Sequence, residues 1–165
     1  MLGLVGGGVY DPSIIYTNLF RRESMSITNH VPSLPLCQEL NKAGLKFPKS
    51  CFIWIGKDLY ERGSYLANQN HWGKRVAAPL ASEIGEILPG EINVPPELLS
   101  AAKTASLHCY KYYDGKWNVR YKSATGTTVW GEGDYPWRGD DTLVDAMAKM
   151  LLYLNSQGLL PKGEV

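Results

Sequence analysis

The sequence predicts an α+β fold: an antiparallel sheet of about three to five strands with helices packed against it, the C-terminal helix being the main cover. Two segments carry this reading. Leu107 to Tyr113 and Lys116 to Lys122 are aromatic-rich and flank Asp114-Gly115, a pair that readily supplies the positive φ angles of a type I′ hairpin turn. Downstream, Leu143, Ala146, Met147, Met150, Leu151 and Leu154 recur at helical spacing and give one helix a continuous apolar face. A half-buried hairpin and a one-faced helix each need a cover, and packing one on the other supplies both.

The chain has 165 residues, which suits one core and is short for two. With 44% hydrophobic and 20% charged residues, it lies far from the composition of chains that stay disordered. Residues 25–165 read as a single α+β domain. Residues 1–24 stand apart, with the glycine-rich GLVGGG, a short apolar stretch from Ile14 to Phe20, then Arg21 and Arg22. They read as an N-terminal appendage: either an arm that packs on the domain or on a second copy, giving a homo-oligomer, or a segment upstream of a translation start at Met25. Native N-terminal peptides beginning at Met1 would remove the last alternative.

Within the domain, a helix is expected from Ser33 to Ala43, with Ser33 as cap, Pro35 in the first turn and Gly44 as a left-handed stop. Cys51 to Ile55 is short, aromatic and β-branched, hence a buried strand, and a second strand is expected within Leu59 to Leu66. Asn68 to Arg75 reads as loop. Pro79 to Leu88 reads as a short helix with Leu80, Ile84, Ile87 and Leu88 as its stripe, ended by Pro89-Gly90. PELLSAAKT adds a helical turn or two. After the hairpin, a turn near Ala124-Thr125-Gly126 leads to a third strand, Thr127 to Trp130, and then to the loop WGEGDYPWRGDD. Thr142 and Asp145 resemble a capping box for the last helix, and Asp140 and Asp141 suit the positive end of its dipole.

Net charge is +1 with a pI near 7.7, so no global field draws the chain to phosphate backbones or anionic lipid. No apolar run approaches the roughly 20 residues of a membrane span. The start lacks the basic region of a signal peptide. The three cysteines, Cys37, Cys51 and Cys109, are odd in number and contain no C-x-x-C pair, which argues against a disulfide framework or zinc knuckle and fits a reducing cytoplasm.

His30, His71 and His108 lack any metal-ligand spacing, so no metal site is expected. Cys109 and His108 are neighbours on a strand and point to opposite faces, which separates them as a catalytic pair. Neither a G-x-S-x-G elbow nor a phosphate-binding G-x-x-x-x-G-K-[ST] loop is present, and no catalytic residue or cofactor is assigned. A binding role is favoured over an enzyme. Trp130, Tyr135 and Trp137 flank glycines in a loop, where large apolar groups need a reason for order, and they are the candidate protein-binding residues. The alternative is nucleic-acid binding by Lys111, Arg120 and Lys122, with Lys116, Tyr112, Tyr121 and Trp117 nearby, although strand alternation lets only part of that set share a face.

The segments LCQELNKAGLKFPKSCFIWIG, AAPLASEIGEILP, YDGKWNVRYK and DTLVDAMAKMLLYLNSQGLL together resemble a family of small uncharacterised phage and prophage proteins, over about Pro32 to Leu160. That resemblance implies a phage or mobile-element origin in a bacterial cytoplasm, with no activity to carry over. The leading expectation is therefore a protein-interaction module with an unknown protein partner. A lesser likeness, on AMAKMLLYL and an α-β-β-β-α order, is to double-stranded-RNA-binding domains; Asp140 and Asp141 stand where that likeness wants lysines.

Overall fold

The computed structural model describes residues 27–69, 73–94, 103–126, 128–130 and 139–160. The N-terminal appendage, most of PELLSAAKT and most of the glycine-rich loop lie outside these residues. The α+β class is as expected, with seven strands among the described residues divided between two antiparallel sheets.

Helix α1 spans Leu34–Lys42 and buries Leu36, Cys37 and Leu40. Ser33 holds the N-cap position, but its side chain makes no capping bond. Its backbone N–H instead donates to Asp145 Oδ1 at 2.8 Å. Gly44, at φ +81°, ends the helix as a left-handed residue that a side chain would strain.

The first sheet has the order β2-β1-β3, with β1 at Phe52–Ile55, β2 at Asp58–Glu61 and β3 at Arg75–Ala78. Trp54 and Val76 are register partners and pack with Val31, Cys37 and Ala78 on the α1 side. Ile53 and Ile55 point the other way, onto Ala67 of the short helix α2, Tyr65–Gln69. The expected loop from Asn68 to Arg75 is thus corrected at both ends: α2 reaches Gln69, and Arg75 opens β3. Helix α3, Ala81–Ile87, follows; the Leu80 N–H donates to Glu83 Oε2 at 2.7 Å and secures its start.

The second sheet has the order β4-β5-β6-β7: β4 at Glu91–Asn93, β5 at Thr104–Lys111, β6 at Trp117–Ser123 and β7 at Thr128–Trp130. The β5–β6 hairpin forms, but not through a type I′ turn. Lys111 pairs with Trp117, and the Tyr112 N–H donates to Lys116 O, so the loop comprises Tyr113, Asp114 and Gly115. A type I′ turn needs positive φ at both central residues, whereas among the described residues only glycines have it, here Gly115 at +84°. The backbone solution is the three-residue hairpin loop with a left-handed glycine, and Asp114 Oδ1 accepts the Lys116 N–H at 2.9 Å.

Helix α4, Leu143–Ser156, covers the inner face of this sheet. Ala105, Val119 and Tyr121 from the strands meet Ile84 of α3 and Val144, Met150, Leu151 and Leu154 of α4 in the main core. Tyr121 is fully buried, and its hydroxyl donates to Pro89 O at 2.5 Å. Thr142 Oγ1 accepts the Asp145 N–H at 3.1 Å, as the capping signal predicts. The return half of that box is absent, because the Asp145 carboxylate serves Ser33.

A second cross-link mirrors the first. Asn155 Nδ2 donates to Ala43 O at 3.2 Å, joining residues with the same separation of 112 as Ser33 and Asp145. Equal offsets at both ends mean that α1 and α4 run parallel, clamped about 15 Å apart along their axes. Among the described residues, no helix is long and apolar enough to cross a membrane.

Chemical denaturation should rank these contacts. Leu151→Ala, which empties fully buried volume, is expected to cost about 2–5 kcal/mol, and Asp145→Ala about 1–2 kcal/mol. Asp145→Ala and Asn155→Ala should add within about 0.5 kcal/mol because the clamps share no partner; a larger coupling term in the double-mutant cycle would show that they act as one unit.

Candidate nucleic-acid interface

A strand with one face in a core must present its alternate residues on the other face. The register of β5 with β6 sets Ser106 opposite Lys122, His108 opposite Arg120 and Tyr110 opposite Asn118, all on the face away from α4. Glu91 of β4 pairs with Ser106 and extends the same row. Among the described residues, the outer face thus gathers Arg120, Lys122, His108 and Tyr110 with one acid, Glu91.

Tyr110 is the centre of this group. The Arg120 guanidinium lies 4.4 Å from its ring centroid, and the Lys122 ammonium 5.7 Å. Tyr112 meets the Tyr110 ring edge-on, with centroids 4.9 Å apart, and the two hydroxyls share a hydrogen bond of 2.9 Å. Cations over an aromatic face are each worth about 0.5–1 kcal/mol at exposed sites, which favours keeping the guanidinium over the ring. Ser106 and His108 are exposed, while Tyr110, Arg120 and Lys122 are half-buried.

Asn118, beside this stack, is only 3% exposed. Its Oδ1 is closed off from solvent and has no hydrogen-bond partner. Leaving an amide oxygen in that state costs about 1–3 kcal/mol.

The sequence-derived cations divide. Arg120 and Lys122 come together, whereas Lys111 stands on the opposite face, with its ammonium 5.7 Å from the Trp117 ring. The turn explains the split. A two-residue loop at Asp114-Gly115 would set Lys111 opposite Asn118 and on the same face as Arg120 and Lys122. The three-residue loop moves the register by one, and a one-residue shift exchanges the faces. Tyr110 thereby takes the place beside the two cations.

Asp140 and Asp141 do not cap α4. Asp141 pairs with Lys116 and Asp140 with Lys149, while the Asp140 backbone pairs with that of Trp117. The Lys116 ammonium holds the Asp141 carboxyl below its ordinary range, and Asp141 raises Lys116 in return. The pair therefore stabilises between the two ordinary values, and its contribution fades as pH falls through the lowered carboxyl or rises through the raised ammonium. Of the candidate protein-binding residues, Trp130 contributes backbone to β7 opposite Tyr121, and Tyr135 and Trp137 lie outside the described residues.

A cleft of about 240 Å³ opens between α1 and β3, lined by Cys37, Asn41, Leu45, Lys46, Phe47 and Ala77. The Cys37 thiol donates to Pro32 O at 3.3 Å, and burial pushes its pKa up to about 12, which leaves it inert as a nucleophile. No group of three or more His, Cys, Asp or Glu side chains suited to a metal occurs among the described residues. No protein-family model, curated protein or solved structure matches the chain.

Thiol alkylation tests the burial pattern. Native protein should be modified at the exposed Cys51 and Cys109 and spared at Cys37 until denaturant is added. Burial raises the Cys109 thiol, so its rate should climb at higher pH than that of an open peptide thiol. Mass spectrometry of peptides after timed iodoacetamide treatment reads all three sites.

Proposed function

We propose that this chain is a small nucleic-acid-binding module that works through the outer face of β5 and β6 and takes a single strand. The observation that carries the proposal is the Arg120 guanidinium lying over the Tyr110 ring, 4.4 Å from its centroid, with Lys122 beside it. A flat cationic plane backed by an aromatic ring suits an unstacked base, and the neighbouring ammonium suits the phosphate that follows it. In a duplex the base faces are occupied by one another, so this surface has nothing to stack on. With a net charge of +1, affinity rests on these few contacts and not on a broad basic field.

The phage or mobile-element origin and the bacterial cytoplasmic setting belong to the same proposal, supported by the family resemblance and the unpaired cysteine pattern of the sequence. The protein-interaction reading, through Trp130, Tyr135 and Trp137, is the competing outcome of the test.

Fluorescence anisotropy with labelled single-stranded and duplex oligonucleotides, across a salt series, separates these readings. The single strand should bind more tightly. Tyr110→Ala and Arg120→Ala should each weaken it by about tenfold, the value of one stacked base. Lys122→Ala should reduce the slope of log K against log salt by about 0.7, whereas Lys111→Ala, the same charge loss on the other face, should change nothing. Equal effects from Lys111→Ala and Lys122→Ala would defeat the assignment of the face. No oligonucleotide binding, with salt-insensitive capture of a protein that is lost on Trp130→Ala and Trp137→Ala, would replace it with the protein-interaction module.

A further inference from the structure

Three polar side chains lie buried among the described residues: Ser50, Asn118 and Ser123. Two are satisfied. Ser50 Oγ donates to Ala78 O at 2.8 Å, and Ser123 Oγ shares a hydrogen bond of 2.8 Å with Thr125 Oγ1. Asn118 differs, because its Oδ1 has no partner although the residue is only 3% exposed, whereas Arg120 and Lys122 on the same face are half-buried. A β-branched apolar residue would fill a strand position without that penalty. The unpaired acceptor also sits opposite Tyr110, on the face that carries Arg120 and Lys122.

Resting on the nucleic-acid reading, we infer that Asn118 is the specificity-determining residue of this face and that it selects a base offering an amino donor, adenine above all. An unpaired Oδ1 calls for a donor. The asparagine amide matches the adenine edge twice over, Oδ1 accepting from N6–H and Nδ2 donating to N7. Thymine and uracil present a carbonyl where adenine has its amine, so two acceptors would meet and that base would be rejected. Oδ1 is enclosed in the free chain, so reading a base requires the groups over it to move aside, and side-chain rotamer changes are far faster than association. Arg120 and Lys122 then supply stacking and phosphate contacts common to every base, and Asn118 supplies the difference between them.

The test compares labelled oligonucleotides of one length built from adenine, thymine, or purine, which is adenine without its 6-amino group, on the unaltered protein. Adenine is expected to bind roughly tenfold more tightly than thymine, and purine to lose that advantage. Asn118→Leu should bind adenine and thymine strands alike, keep the salt slope that depends on Lys122, and unfold no earlier than the parent chain. If all three strands bind within twofold of one another, or purine keeps the full advantage of adenine, Asn118 does not read the base and the inference falls, while the interface stands. If none binds, the nucleic-acid reading itself falls. Should Asn118→Leu fail to fold, the purine strand still decides the matter, because it needs no variant.

Discussion

The seating of β6 against α4 is the constraint on which the rest depends. Val119 and Tyr121 are buried among Met150, Leu151 and Leu154, and the Tyr121 hydroxyl is tied to Pro89 O. Because strand side chains alternate with a period of two, fixing Val119 and Tyr121 inward sends Asn118, Arg120 and Lys122 outward. The same demand acts on β5 through Ala105 and Leu107, and so chooses Tyr110 for the outer face. The hairpin loop then has to close a register already decided by the core. Gly115 lets it do so with three residues.

Helix α1 joins the two sheets. It covers Trp54 and Val76 of the first sheet, while Leu36 and Leu40 enter the core beneath α4. Its start is held by a carboxylate of α4 and not by the Ser33 side chain. Its end, already capped by the Gly44 N–H on Asn41 O and the Leu45 N–H on Leu40 O, is also tied to the Asn155 amide of α4. Ser33 and Ala43 each use a backbone group that a helix terminus leaves unpaired, and each finds a side chain on the neighbouring helix. Apolar contact gives the helix pair its affinity, and the two clamps fix its direction and register.

The strongest periodic signals were legible. Helix α1, strand β1, helix α3, the hairpin and helix α4 fall within a residue or two of where spacing and capping put them, since each carries a stripe, a stop or a turn residue of its own. Strands β3 and β4 and helix α2 were not, because segments of three to five residues hold too few side chains to display a period, and their pairing is decided by distant partners. In the site, the identities of Arg120 and Lys122 could be read directly. The separation of Lys111 from them could not, because Asp114-Gly115 is compatible with loops that differ by one residue, and that one residue exchanges the faces. Asn118 carried no signal in sequence; it is distinguished only by an acceptor that finds no donor after folding. Thr142 announced the cap on α4, but the use of the Asp145 carboxylate by Ser33 depends on a neighbour far along the chain.

That distance bears on the order of assembly. Closing a loop of the 112 residues between Ser33 and Asp145 restricts far more chain than closing the three-residue hairpin loop, and the entropy of that restriction is lost before any clamp is made. Local pairing of β5 with β6 therefore has the kinetic advantage, and α4 can settle on the hairpin from only a short way downstream. Helix α1, although it precedes them all among the described residues, can lie on Trp54 and Val76 of the first sheet early, but it has neither clamp partner until α4 is in place. Among the described residues, the first helix to be synthesised is thus the last to have its direction fixed at both ends.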